Sequence, residues 1–197
     1  MNTPAPNRID KLNQLTTPLL EWYSSAARDL PWRTPASETH RPDPYHVWVS
    51  EIMLQQTRVA AAIPYYERFI AALPDPAALA ACEPDALRKL WQGLGYYNRV
   101  NNMQKAARIV CEQYGGDLPA DYDALRSLPG IGDYTAGAIL SIAFNKAVPA
   151  VDGNVLRIAA RLTACGDNVL DMRTRQHVRD ALAAVMPTDR PGDFNQA

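Results

Sequence analysis

The chain has 197 residues, with 20 Lys and Arg against 21 Asp and Glu, for a net charge of −1 at pH 7. That length suits one domain or one and a half, enough for a real core but not for two large independent units. With 47% apolar and 21% charged residues, wholesale disorder is excluded, and near-neutrality excludes a polybasic tail protein. A nucleic-acid partner stays open, because a basic face can be offset by acids elsewhere.

Pro outnumbers Gly, 16 to 10, and falls between apolar-periodic stretches, as in short punctuated helices. In chain order, Ile9, Leu12, Leu15, Leu19 and Trp22 predict one apolar face of a first helix that ends before Arg28. Thr34 to Pro44 is polar and Pro-rich and predicts an exposed loop. Val47, Ile52, Met53 and Leu54 predict a second helix, and Val59, Ile63, Tyr66, Phe69 and Ile70 a third after a break near Thr57. Asp75-Pro76 and Glu83-Pro84 are expected helix starts, an acceptor side chain followed by Pro where its missing N–H costs nothing. Val100, Met103, Ala107 and Val110 predict a helix that stops at Gly115-Gly116. Further helices are predicted over 122–127, 133–144, 153–164 and 173–186. Trp48 and Trp91 are expected in the core. No window alternates as a strand would, so the fold class is all-α. Phe194 to Ala197 stop without a cap, as though a helix were cut at its start, and the packing partner of the first helix, Ile9 to Trp22, is expected to be missing.

Cys82, Cys111 and Cys165 are far apart and odd in number, so they predict buried small hydrophobes in a reducing compartment and not a disulfide framework. Met1 to Asp10 hold no apolar run, and no stretch approaches the roughly 20 apolar residues of a membrane span. A cytoplasmic protein with no membrane partner is expected.

Two runs carry chemistry. Leu128-Pro129-Gly130-Ile131-Gly132, between two helical patterns, can turn tightly and bring backbone N–H groups to a helix N-terminus. A phosphate could dock there without Lys or Arg; a plain corner between helices is the other reading. Beyond it, Asp152 in Val151-Asp152-Gly153-Asn154-Val155 precedes a helix and reads locally as its N-cap. In the second run, Trp48 to Thr57, Glu51 stands among apolar neighbours. It lies either on the solvent side of its helix, the expectation from position alone, or in a pocket that raises its pKa. The amides of Gln55 and Gln56 are poor core residues and good readers of base edges.

Five motifs occur in order: LPWR (30–33), PYHVWVSEIMLQQTRV (44–59), GLGYYNRVNN (93–102), LPGIGDYTAGAIL (128–140) and VDGNVLR (151–157). Together they resemble the catalytic region of adenine DNA glycosylases of the MutY type, within the helix-hairpin-helix DNA glycosylases. The resemblance runs from about Leu19 to Ala197. It implies a six-helix barrel module over about 30–150, and a second helical module from 1–29 and 151–197 that is incomplete at its C-terminal end. It implies base flipping and hydrolysis of the N-glycosidic bond of adenine mispaired with 8-oxoguanine or guanine in double-stranded DNA, by a monomer on the bacterial nucleoid.

The resemblance assigns roles by position. Glu51 would protonate adenine, and Asp152 would stabilise the oxocarbenium-like sugar or attack it, with Tyr134 and Asn154 in support. Arg28, Leu30, Trp32, Leu54 and Gln196 would surround the flipped base. Gln55, Gln56, Thr57, Leu94, Tyr96 and the hairpin residues Gly130, Ile131 and Gly132 would meet DNA, with Gln56 and Tyr96 wedged into the stack and Thr57 and Leu94 against 8-oxoguanine. Tyr96 and Tyr97 could equally be core or surface aromatics at a helix start. Tyr134 stands where endonuclease III-like relatives carry the Lys that cuts the strand, which implies a monofunctional enzyme. Relatives of this kind hold a 4Fe–4S cluster on cysteines that the three present here do not match, so no cofactor is expected within this chain, and the cluster ligands would fall beyond residue 197. The alternatives are a catalytically impaired DNA-binding fragment and an endonuclease III-like pyrimidine-lesion enzyme.

Overall fold

Helices, with no strand, form the regular structure among the described residues, 6–33 and 41–197 of a computed structural model. In order they are α1 (Pro6–Ala26), α2 (Pro44–Leu54), α3 (Val59–Ala72), α4 (Pro76–Ala81), α5 (Pro84–Trp91), α6 (Asn98–Tyr114), α7 (Tyr122–Ser127), α8 (Asp133–Ile142), α9 (Gly153–Leu162), α10 (Met172–Val185) and α11 (Pro191–Gln196).

Proline and aspartate explain many of the starts. Asp43 accepts from the N–H groups of Tyr45 (2.7 Å) and His46 (3.4 Å), and Asp75 from that of Ala78 (2.7 Å). In each case Pro follows at the first helical position, where no N–H is needed. Pro44 therefore opens α2 and does not end a loop; residues 34–40 of the expected loop lie outside the described residues. Glu83 precedes α5 but makes no side-chain cap bond. Two prolines depart from the expected spacing: Pro18 lies inside α1 and Pro64 inside α3, both on exposed positions. The carbonyls they leave unpaired, four residues back, belong to exposed residues and can turn to water.

A large apolar core gathers α2 to α8 around Trp48, Phe69, Trp91 and Met103. A smaller one joins Leu12 of α1 to Ala181, Leu182 and Val185 of α10. The first helix thus has a packing partner, contrary to expectation, and it also lies against α9 and α11. Its buried stripe runs through Leu12 and Tyr23, whereas Trp22 is 53% exposed. Thr16 lies on that stripe and bonds the Val185 carbonyl, a polar interruption that hid the true face. The cysteines are half-buried.

The chain into Asp152 is fixed by a close approach. A Cβ on Gly137 of α8 would lie 2.7 Å from the Pro149 carbonyl oxygen, so only glycine lets segment 148–151 lie against α8. Asn195 of α11 clamps the same segment. Its amide nitrogen donates to Ser141 Oγ (2.7 Å) and the Val148 carbonyl (2.9 Å), and its oxygen accepts from the Ala150 N–H (3.1 Å).

Candidate active site

Helix α2 is buried on nearly every side: Val47, Trp48, Val49, Ile52 and Met53 are all at most 2% exposed. Its one acid, Glu51, has no open solvent face to occupy and turns into a cavity of about 170 Å³. That corrects the expectation from local position, because the surface of this helix is decided by α3 and α8 packing on it. The volume is below the roughly 300–1,000 Å³ of pockets for drug-sized ligands. Burial pushes the Glu51 carboxyl up to about 7. The hydroxyl of Tyr134 donates to it, and Arg33 opposes the rise, while the charge of Asp152 adds to it. Burial, with Glu51 and Asp152 close by, raises the Tyr134 phenol in turn, so it stays a protonated donor.

Every residue assigned to the base pocket reaches this cavity. Leu30 and Trp32 form buried walls, Leu54 and Gln196 are half-buried linings, and Arg28 stands exposed at the rim. Sequence reasoning missed Arg33 and Asn195 in the same lining. Arg33 ends the LPWR motif and is brought in by the turn after Leu30, whereas Asn195 has no local signal and arrives by α11 docking on α8.

Asp152 is not part of the lining but lies beside it. As the N-cap of α9, its Oδ1 accepts from the N–H groups of Asn154 (2.9 Å) and Val155 (2.8 Å), and its Oδ2 from the Asn154 amide (3.0 Å). The Asn154 oxygen accepts from Arg157 (2.7 Å), so its nitrogen faces the carboxylate. The local reading as a cap is met, and the charge of Asp152 reaches Glu51.

The hairpin is a type II turn: the Ile131 N–H donates to the Leu128 carbonyl (3.1 Å), Pro129 takes the second position and Gly130 the third at φ +82°. A Cβ there would lie 2.9 Å from the Asn102 Cβ. Gly130→Ala is therefore expected to lower stability by roughly 1–3 kcal/mol, checked by urea unfolding. Ile131 departs from its assignment to DNA, being 3% exposed with its N–H used inside the turn. The turn is also not free of arginine. Arg126 (2.5 Å) and Arg179 of α10 (3.0 Å) both pair with Asp133 at the start of α8, and the Arg179 bond chiefly holds Asp133 below the usual carboxylate range.

The other residues assigned to DNA cluster where α2 meets α6. Gln55, Gln56 and Tyr96 line a shallow cleft of about 350 Å³ with Tyr97 and Asn98. Tyr96 is 66% exposed and Tyr97 40%, which decides for surface over core. Thr57 is half-buried, its N–H bonded to the Leu54 carbonyl (3.2 Å). Leu94 is 8% exposed and packed into the large core. Its side chain is turned away from the surface because the chain must close onto Trp91 there. Among the described residues no three metal-binding side chains come together, so the residues present do not fit an iron–sulfur cluster.

Residues 49–184 match the HhH-GPD superfamily of base excision DNA repair proteins, and the chain belongs to that superfamily. It is 46% identical over 182 residues to the adenine DNA glycosylase of Mus musculus, a match covering 91% of this chain and 35% of that protein. To the adenine DNA glycosylase of Buchnera aphidicola subsp. Acyrthosiphon pisum (strain APS) it is 40% identical, covering 90% and 49%. The chain thus spans between a third and a half of these relatives' length. Among solved structures, a thermostable thymine-DNA glycosylase superposes with a TM-score of 0.80 at 25% identity, over 95% of this chain and 83% of the other. A trapped covalent intermediate of endonuclease III with DNA superposes at 0.75 with 24% identity, over 100% and 84%, a likeness of fold.

Proposed function

We infer that this protein is a monofunctional DNA glycosylase that flips adenine, paired with 8-oxoguanine or guanine, out of duplex DNA and hydrolyses its N-glycosidic bond. The observation that carries this reading is a carboxyl, Glu51, poised to hold a proton near pH 7 in a cavity beside a second carboxylate. The adenine glycosylases among its relatives supply the choice of base.

Glu51 gives its proton to a ring nitrogen of adenine, and the C1′–N9 bond breaks with its electron pair leaving on the base. The sugar becomes oxocarbenium-like, and the Asp152 carboxylate, aimed by the first N–H groups of α9, offsets that charge. Water then adds at C1′ and its proton returns to Glu51. A strand-cutting step through a Schiff base needs an amine, and no lysine lines the cavity among the described residues. The hairpin would bind the backbone through the N–H groups at Gly130 and Gly132, while Gln56 and Tyr96 would fill the gap left in the stack. The two apolar clusters fit a division into a module over about 30–150 and a second one from the two ends of the chain.

Single-turnover reactions on duplexes with adenine opposite 8-oxoguanine, adenine opposite guanine, and thymine glycol test this. Strand cleavage is expected only for the adenine duplexes and only after alkali. Cleavage without alkali, or of the thymine glycol duplex, would overturn it.

A further inference from the structure

Arg99, on the first turn of α6, gathers five carbonyl oxygens from two distant segments. Its Nη1 donates to Ile52 (2.9 Å), Met53 (3.2 Å) and Gln55, and its Nη2 to Leu94 (3.1 Å) and Gly95 (3.3 Å). The first three are at the C-terminal end of α2, where carbonyls lack helical partners and carry partial negative charge. The other two belong to the turn that leads into Tyr96. The guanidinium lies 5.3 Å from the Trp91 ring centroid and 5.6 Å from that of Tyr96. Only a planar fork with several donors can span both segments; an ammonium on a single point cannot.

The two carbonyls at the ends of this set have a particular consequence. Gln55 precedes Gln56, at φ +58°, and Gly95 precedes Tyr96, at φ +47°. Both are non-glycine residues in the left-handed region, a conformation that persists only where neighbours impose it. Holding the Gln55 and Gly95 carbonyls fixes the peptide planes on which Gln56 and Tyr96 are mounted. Both side chains are exposed and line the same shallow cleft.

We propose that Arg99 is a positioning residue that braces Gln56 and Tyr96 as a paired wedge, so that extrusion of the target base depends on it while the chemistry at Glu51 and the grip on the backbone do not. This rests on the function proposed above. The test compares Arg99→Lys and Arg99→Gln with the unaltered protein on two substrates, adenine opposite 8-oxoguanine in a duplex and adenine already unstacked in a bulge. Loss of the brace is expected to slow single-turnover excision from the duplex by about tenfold or more, and from the bulge by less than about threefold. Both rates come from one preparation, so their ratio is independent of the fraction folded. A parallel measurement places 2-aminopurine beside the target and follows the fluorescence rise on unstacking; the rise is expected with the unaltered protein and lost with the variants. An equal fall on both substrates, or an undiminished duplex rate, overturns the proposal. If the unaltered protein releases adenine from neither substrate, the enzymatic reading fails and fluorescence alone decides: a rise confined to the unaltered protein upholds the brace, and any other pattern sinks it.

Discussion

Glu51→Gln is expected to slow adenine release by about 10²–10⁴-fold, the usual contribution of a positioned general acid. Gln keeps the size and the hydrogen bond to Tyr134 but has no proton to give. The unaltered protein should show a second signature. An acid pushed up to about 7 is protonated below that pH and ionised above it. The single-turnover rate at subsaturating DNA should therefore hold from about pH 5.5 to 6.5 and fall about tenfold per unit on the alkaline side. The stability effect runs the opposite way to the activity effect. The folded state binds the Glu51 proton more tightly than the unfolded chain, whose carboxyl titrates at the ordinary 4.5. Its contribution is thus fully present below pH 4.5 and is lost as pH rises through about 7. At pH 8 the ionised carboxylate costs on the order of 3 kcal/mol. Glu51→Gln should accordingly melt above the unaltered protein at pH 8 and close to it at pH 5, while remaining slow at both. Melting curves at the two pH values check this. A variant less stable at pH 8 would show that Glu51 is not held in a desolvated pocket.

Replacing Asp152 should separate its two tasks. Asp152→Asn, Asp152→Ser and Asp152→Ala all remove the charge that faces the developing cation, and each is expected to lower the excision rate by about 10²–10³-fold. Their stabilities should differ. Asn and Ser can still accept from the Asn154 and Val155 N–H groups, and should stay within about 0.5 kcal/mol of the parent. Ala leaves both donors of α9 without an acceptor, and should lose about 1 kcal/mol. Chemical denaturation beside single-turnover kinetics reads both quantities. Rates that tracked stability across the three variants would reduce Asp152 to a cap.

The helix starts at Asp75 and Asp152, the stop at Gly115 and the tight turn at Gly130 were legible in the chain. Each depends on a few adjacent residues and their own backbone donors and acceptors. The candidate pocket was legible in a different way, through five motifs whose order matches a known family. From position alone, Glu51 pointed to solvent.

What lay outside the sequence pattern shares one cause, which is contact between segments far apart in the chain. The depth of Glu51 follows from α3 and α8 closing over α2. The burial of Leu94 and Ile131 follows from the large core drawing in turns that looked free. The choice of Tyr23 over Trp22 on α1 is made by α10 and α11. Arg99 and Asn195 are ordinary residues in sequence, and only the fold shows that one joins α2 to the Tyr96 turn and the other ties α11 to the segment before Asp152. By itself, the sequence determined where helices begin and turn and which residue types could do the chemistry, because those depend on local hydrogen bonds and apolar spacing. Tertiary structure decided which carboxyl is desolvated and which side chains are braced, because burial and electrostatic coupling are properties of what packs around a group.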